Sequence, residues 1–145
     1  MLPDAIDLVI VTPEKQLLRE KTVEVQMPGE NGYLGILPGH APLMTELGIG
    51  ELSYHDTSNK ESAHIAIIRG FAEVLSDRVT ILAETAERAE EIDLQRAKDA
   101  LARAEKRLAA NDPNIDWDRA NIALQRALIR IQVAAKRRSA LVSGS

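Results

Sequence analysis

In Asp93-Leu94-Gln95-Arg96-Ala97-Lys98-Asp99-Ala100-Leu101-Ala102-Arg103-Ala104-Glu105-Lys106-Arg107-Leu108, the residues Leu94, Ala97, Leu101, Ala104 and Leu108 recur at spacings of three and four. That is the period of a helix with one apolar stripe, and Asp93 stands where a helix N-cap belongs. Asn111-Asp112-Pro113-Asn114 breaks the pattern as a short loop does. A second series opens at Ile115 or Trp117 and continues through Ala120, Leu124, Ala127, Leu128, Ile131 and Ala135. So short a loop forces two antiparallel helices, with arms of about 27 Å and ~34 Å at 1.5 Å rise per residue. Their many alanines let the axes approach closely but bury little area each, so the hairpin is helical by propensity and only weakly held. The final stretch, 139–145, reads as a frayed tail.

Upstream of Ala86 the composition changes. All but one of the glycines and all but one of the prolines lie before it, and that half is net acidic, whereas the alanine-rich half after it is net basic. Two units are expected, 1–86 and 87–145. In the first, residues 6–11 form an apolar run ended by Thr12-Pro13. Val23, Val25 and Met27 alternate with Thr22, Glu24 and Gln26, the period of a half-buried strand. Pro28-Gly29 is expected to turn the chain. Further short strands are expected at 49–54, 65–68, 71–75 and 79–83, with Ser76-Asp77 as a tight turn between the last two. Strands at this density with no helix between them predict an antiparallel β-sandwich followed by a two-helix hairpin.

Composition excludes whole classes of function. The chain has 145 residues, no cysteine and a net charge of −4. Disulfide scaffolds, thiol catalysis and iron–sulfur clusters are therefore out, and nucleic acid is not an expected partner. Tyr33, Tyr54, Phe71 and Trp117 are the only aromatics, too few for base stacking on one face. No apolar run reaches a membrane span and no signal-peptide core opens the chain, so the expectation is a soluble intracellular protein. His40, His55 and His64 lack zinc-site spacing, so no metal is expected; no phosphate-binding GxxxxGK[ST] loop and no GxSxG elbow occurs. Independent catalysis has no visible machinery.

Two patterns remain. The run Gly32-Tyr33-Leu34-Gly35-Ile36-Leu37-Pro38-Gly39-His40-Ala41-Pro42-Leu43 fixes a bent path. It reads either as a structural corner or as a rigid loop presenting Tyr33 and His40 to a partner. Arg119, Arg126, Arg130 and Arg137 lie along one helical stripe, and Arg96 and Arg103 are seven apart on the first helix. Gathered guanidiniums suit phosphate, while Glu87 and Asp93 are acceptors for an amino group or sugar hydroxyls. The stripe is equally what a solvated basic face looks like.

Over essentially its whole length the chain resembles the epsilon subunits of F-type ATP synthases. The resemblance is carried by Gly35-Ile36-Leu37-Pro38-Gly39-His40-Ala41-Pro42-Leu43, Gly70-Phe71-Ala72-Glu73-Val74, Val79-Thr80-Ile81-Leu82-Ala83 and Ala86-Glu87-Arg88-Ala89-Glu90-Glu91-Ile92-Asp93. It implies a non-catalytic subunit, peripheral on the cytoplasmic face of the bacterial inner membrane. The expected place is the central stalk of a proton- or sodium-translocating synthase, with gamma and the c-subunit ring as partners. It also implies a hairpin that, when extended, enters the alpha/beta catalytic head and blocks ATP hydrolysis. Ile92-Asp93-Leu94-Gln95-Arg96-Ala97 is similar to the [IL]DxxRA motif of members that bind ATP. The implied ATP set is Glu87, Ile92, Asp93, Arg96, Ala97, Arg103, Arg126 and Arg130, with ATP as a regulatory ligand favouring the folded hairpin. Arg119, Arg126, Arg130 and Arg137 are the implied inhibitory contact, and Tyr33 and His40 the contact with gamma and the ring. Many members have an acidic residue where Tyr33 stands, so a carboxylate-mediated ring contact does not carry over. A stand-alone nucleotide sensor and a hydrolase using His40 are the competing readings.

Overall fold

The chain's computed structural model describes residues 2–57 and 61–138, and the expected frayed tail at 139–145 lies outside them. Six strands come first: β1 (Ile6–Val11), β2 (Gln16–Gly29), β3 (Gly32–Ile36), β4 (Leu43–Asp56), β5 (Ser62–Val74) and β6 (Arg78–Arg88). A 3-10 turn at Ala89–Glu91 leads into α1 (Leu94–Ala109) and α2 (Trp117–Ala134). The sheet order is β1-β6-β5-β4-β2-β3, and β1 also pairs with β2, so the sheet closes on itself. Closure leaves no free edge along the ring of five strands. The expected fold class, β-sandwich then helical hairpin, is the one observed. All ladders are antiparallel except β1–β6, where Asp7 to Val11 run parallel to Arg78 to Leu82.

The first core lies inside this closed sheet. Leu8, Ile10, Val25, Met27, Leu52, Ile67, Val79 and Ile81 are among its fully buried members, and none of its residues comes from the hairpin. Alternation puts them there: Ile6, Leu8 and Ile10 point in while Asp7, Val9 and Val11 do not. In β2 the alternation starts late. Thr22 is buried and Val23 exposed, because the register with β4 shifts between Thr22 and Val25. The buried Thr22 hydroxyl is satisfied by donating to the carbonyl of His55.

Residues 65–68 and 71–75, expected as two strands, belong to one. Ile65 and Ile67 face the core before Arg69-Gly70, and Ala72 and Val74 face it after. The inward parity flips there. It flips along the same line in β4, between Leu47 and Leu52, and in β6, between Ala83 and Ala86. Because the three neighbours flip together, pairing keeps one register on both sides: Ile68 opposes Thr85 and Gly70 opposes Ala83. This line is the corner at which the long strands bend from one layer of the sandwich to the other. Arg69 adopts a left-handed backbone (φ 54°) and Gly70 a φ of 152°. A side chain at Gly70 would collide with the carbonyl oxygen of Leu82. The Pro28-Gly29 turn is displaced: β2 runs through both residues, and the chain reverses at Glu30-Asn31.

A second, smaller core lies outside the sandwich. Ala66 and Ile68 of β5 meet Ala89, Ile92, Ile129, Val133 and Ala134, with Ile49 and Leu94 at the margin. Strand β5 is thus apolar on both faces, which is why 65–68 reads as an unbroken Ile-Ala-Ile-Ile run. Within α2, only its last third contributes large side chains to this patch, Ile129 and Val133.

Candidate functional site

Helix α1 begins at the N-cap the sequence offers. Asp93 caps α1, its Oδ1 accepting the N–H of Arg96 at 3.1 Å. Asp116 does the same for α2, with the N–H of Arg119 at 3.1 Å. Ala97 and Ala104 are buried on α1, as are Ala120 and Ala127 on α2. These small side chains permit close packing of the two helices.

Several polar contacts tie the hairpin down. Arg130 reaches from α2 to Glu87 at the end of β6 in a two-pronged pair, Nε to Oε1 at 2.8 Å and Nη2 to Oε2 at 3.1 Å. Such parallel forks are the stronger geometry of guanidinium and carboxylate. Arg138 donates to Glu90 at 2.8 Å, and that bond raises the Arg138 pKa above its ordinary value. Arg137 donates to the carbonyl of Ile92 at 3.4 Å. The buried carboxylate of Glu51 in β4 gathers Lys136 at 2.9 Å, Gln132 at 3.5 Å and the His64 Nδ1 at 3.2 Å. Neither Glu51 nor Lys136 carries a motif in the sequence, and His64 shows there only as a histidine without zinc-site spacing. The signal was faint: a lone Glu amid apolar strand residues.

The residues expected to form a site divide into groups. Glu87 and Arg130 are brought together, but onto each other. Ile92 and Ala97 are buried and supply packing. Asp93 spends one oxygen on its cap. Arg96 and Arg103 are exposed on α1. Arg126 lies with Arg119 in a cleft of about 610 Å³ lined also by Arg69, Arg107, Asp116, Asp118, Ile122 and Ala123. Arg137 has passed the end of α2. In the sandwich, Tyr33 is in β3 and largely exposed, with its hydroxyl accepting the N–H of Glu51. His40 is half-buried in the corner, its Nδ1 2.6 Å from the carbonyl oxygen of Ala41, a contact that makes Nδ1 the protonated nitrogen. The corner is pinned by the Gly39 N–H donating to the carbonyl of Ser76 at 2.7 Å. No serine, cysteine or carboxylate partner of His40 is present among the described residues.

A second concavity, about 680 Å³, runs along the outside of the sandwich corner and includes Phe71 and Leu82, both half-exposed. Glu30 and Glu46 share its rim. Their mutual hydrogen bond and repulsion raise the Glu46 carboxyl above its ordinary pKa.

A closed β-sandwich followed by a docked Arg-bearing helical hairpin defines a two-part architecture with a specific match. Residues 5–89 match the beta-sandwich domain of the ATP synthase delta/epsilon chain, and residues 90–135 match its long alpha-helix domain. The chain belongs to the ATP synthase delta/epsilon chain family. It is similar to the ATP synthase epsilon chain of Solibacter usitatus (48% identity over 94% of this chain and 100% of that one). It is similar also to that of Koribacter versatilis (55% over 77% and 78%). In three dimensions it resembles a chain of the Euglena gracilis mitochondrial ATP synthase OSCP/F1/c-ring assembly. That match has a TM-score of 0.79 and 24% identity, covering 93% of this chain and 84% of that one. A chain of the Tetrahymena thermophila central stalk/c-ring is more distant (TM-score 0.58, 15% identity, 90% and 94% covered). At these identities the structural likeness is one of fold.

Proposed function

We propose that this chain is a non-catalytic central-stalk subunit of a proton- or sodium-translocating ATP synthase. It couples gamma to the c ring through residues 1–86 and restrains ATP hydrolysis through residues 87–145. The observation that carries this is the way the hairpin is held. Its docking patch buries only two large side chains from α2, Ile129 and Val133, each worth about 1.5–3 kcal/mol. Ile92 and two ion pairs complete the docking: Arg130–Glu87 is partly exposed and worth about 1 kcal/mol or less, and Lys136 reaches the buried Glu51 from a side chain that is itself exposed. A gap of a few kcal/mol is one that a partner or ligand can reverse. Arg130 and Arg137, which tie the hairpin down, are also groups assigned to the catalytic head when the arm is extended. One guanidinium cannot serve both, so the two states exclude each other. Tyr33 and His40, on a pinned corner and its neighbouring strand, are the residues we assign to gamma and the ring. No described helix is long and apolar enough to cross a membrane. Attachment at the cytoplasmic face of the bacterial inner membrane is therefore assigned to the partners.

ATP, in this reading, is a regulatory ligand that favours the docked hairpin. The donor set fits it in part. Asp93 keeps one oxygen as an acceptor, and Arg96, Arg103 and Arg126 are exposed donors, whereas Glu87 and Arg130 must first release each other. Purification of the native complex from membranes tests the assignment. Gamma and the c ring should accompany the chain. Recovery as a stable monomer without gamma would replace this reading with a stand-alone nucleotide sensor.

A further inference from the structure

Among the described residues, Glu51 is the one buried charged residue. It pairs across the sheet with Ala66, and Ala66 in turn pairs with Glu87. Two carboxylates thus flank a member of the hairpin's docking patch, and each takes a cation from the hairpin. At Glu87 both oxygens accept the fork of Arg130. At Glu51 a single oxygen is shared. Its Oε2 accepts Lys136 Nζ at 2.9 Å and lies 3.2 Å from the Nδ1 of His64. Gln132 donates to the other oxygen, Oε1, at 3.5 Å.

His64 belongs to the sheet and Lys136 to the hairpin. One partner of that oxygen therefore stays when the hairpin leaves, and the other goes with it. Neutral His64 is a plain donor through Nδ1–H and leaves the charge of Glu51 to Lys136. Protonated His64 brings a full charge to an oxygen that already has one. We propose that His64 is a proton sensor for hairpin docking: on taking up a proton it claims the Glu51 carboxylate and displaces Lys136.

Counting charges gives the sign. With His64 neutral, Glu51 and Lys136 balance in the docked state, and release leaves Glu51 an unpaired anion. With His64 protonated, the docked cluster carries one excess positive charge, whereas release leaves Glu51 and His64 balanced. The released chain therefore binds the proton more readily, and acid shifts the population toward release. This cluster's support for docking is complete while His64 is neutral. It is lost as pH falls from roughly 8 to 5, the range in which histidine ordinarily charges. The other charged groups packed here do not reverse the count. Glu87 is paired with Arg130 and Glu90 with Arg138, while Arg137 donates to the carbonyls of Ile92 and Ala134. Tyr33 touches only the backbone N–H of Glu51. The inference concerns the docking equilibrium alone and holds whatever the released arm then does.

Methyl NMR of the full chain tests it. Ala66 and Ile68 lie under the docked hairpin, so their methyl shifts report the released fraction, with a chain ending at Arg88 as the fully released reference. The titration runs from pH 8 to about 5.5, above the ordinary carboxylate range. Over it the released-to-docked ratio should rise about three- to fivefold, the scale of one partly exposed ion pair. His64→Asn keeps an N–H donor but cannot charge, and should flatten the response. Lys136→Met should raise the released fraction at pH 8 and show no further rise in acid, because no hairpin cation remains to be displaced. The core methyls of Ile10 and Ile81 should keep their shifts throughout. A parent ratio that does not change with pH overturns the inference. So does an acid response that survives in His64→Asn or in Lys136→Met, or one in which Ile10 and Ile81 move with the patch, which is acid unfolding.

Discussion

The hydroxyl of Tyr33 accepts the backbone N–H of Glu51 at 3.0 Å, across a gap in the β2–β4 ladder. The register shift between Gln26 and Gly29 opens that gap, and Gly50 keeps it narrow. A Cβ on Gly50 would lie 2.5 Å from the Pro28 Cβ and 2.9 Å from the Tyr33 hydroxyl. The same Glu51 holds Lys136 of the hairpin through its side chain. One residue therefore touches both the strand assigned to the ring and the arm assigned to regulation.

Tyr33→Phe should cost about 1–2 kcal/mol of stability, since a backbone donor loses its partner. That is more than usual for a side chain 61% exposed. Urea unfolding of the two proteins measures it. A difference under ~0.5 kcal/mol, the ordinary range for surface substitutions, would mean that water replaces the hydroxyl.

Arg126→Ala and Arg130→Ala should each weaken ATP binding by about 1.5–3 kcal/mol, the scale of hydrogen bonds to a charged group. They should differ in a second respect. Arg126 has no ion-pair partner among the described residues, but removing Arg130 strands Glu87, so only Arg130→Ala should speed amide exchange in α2. Calorimetry and hydrogen exchange on the same samples separate the effects. Unchanged ATP affinity in both would reduce the stripe to a solvated face.

A chain ending at Arg88 should fold, because every residue of the inner core precedes Ala89. It should assemble with gamma and leave the complex hydrolysing ATP faster than with the full chain, at low ATP and without an ion gradient. Hydrolysis rates that match would remove the inhibitory role and spare the coupling one.

Alkali should destabilise the sandwich through Tyr54. Burial, and then the hydrogen bond to Glu20 at 2.8 Å, push its phenol well above its ordinary pKa. The folded state thus prefers the neutral form. Its contribution is complete below pH ~10, the ordinary phenol pKa, and is lost as pH rises above it. Unfolding free energy should fall more steeply between pH 9 and 11 in the parent than in Tyr54→Phe, as urea titrations at both values would report. Parallel slopes would show that lysine titration alone governs that range.

The helices were legible because their signals are local. Asp93, the stripe from Leu94 to Leu108 and the break at Asn111 all act within a turn or two. The start of α2 is ambiguous along the chain, between Ile115 and Trp117, because Asp116 follows a polar loop and shows itself as the cap only through its bond to the Arg119 N–H. Strand β5 reads as two because alternation changes phase at Arg69-Gly70, and a phase change in one strand looks like its end. Nothing along the chain shows that β4 and β6 change phase with it. The parallel partner of β1 was equally hidden, since periodicity states which face is buried and not which strand lies alongside. Glu87 and Arg130, linked only by resemblance, are 43 residues apart. Their pairing depends on how the hairpin lies on the sheet, which no spacing rule encodes.

The parallel ladder between β1 and β6 has a consequence for synthesis. Val11 finds its neighbour only when Leu82 has left the ribosome, a loop of about 70 residues that must be closed against its entropy. Until then the first strand leans on β2 alone, and the growing sheet carries a bare edge. The hairpin leaves the ribosome after that closure, onto a surface already finished. Between the two events Ala66 and Ile68 stand uncovered. A nascent chain stalled there would present a sticky face to its surroundings, so translation through residues 89–134 is the interval in which a chaperone has most to protect.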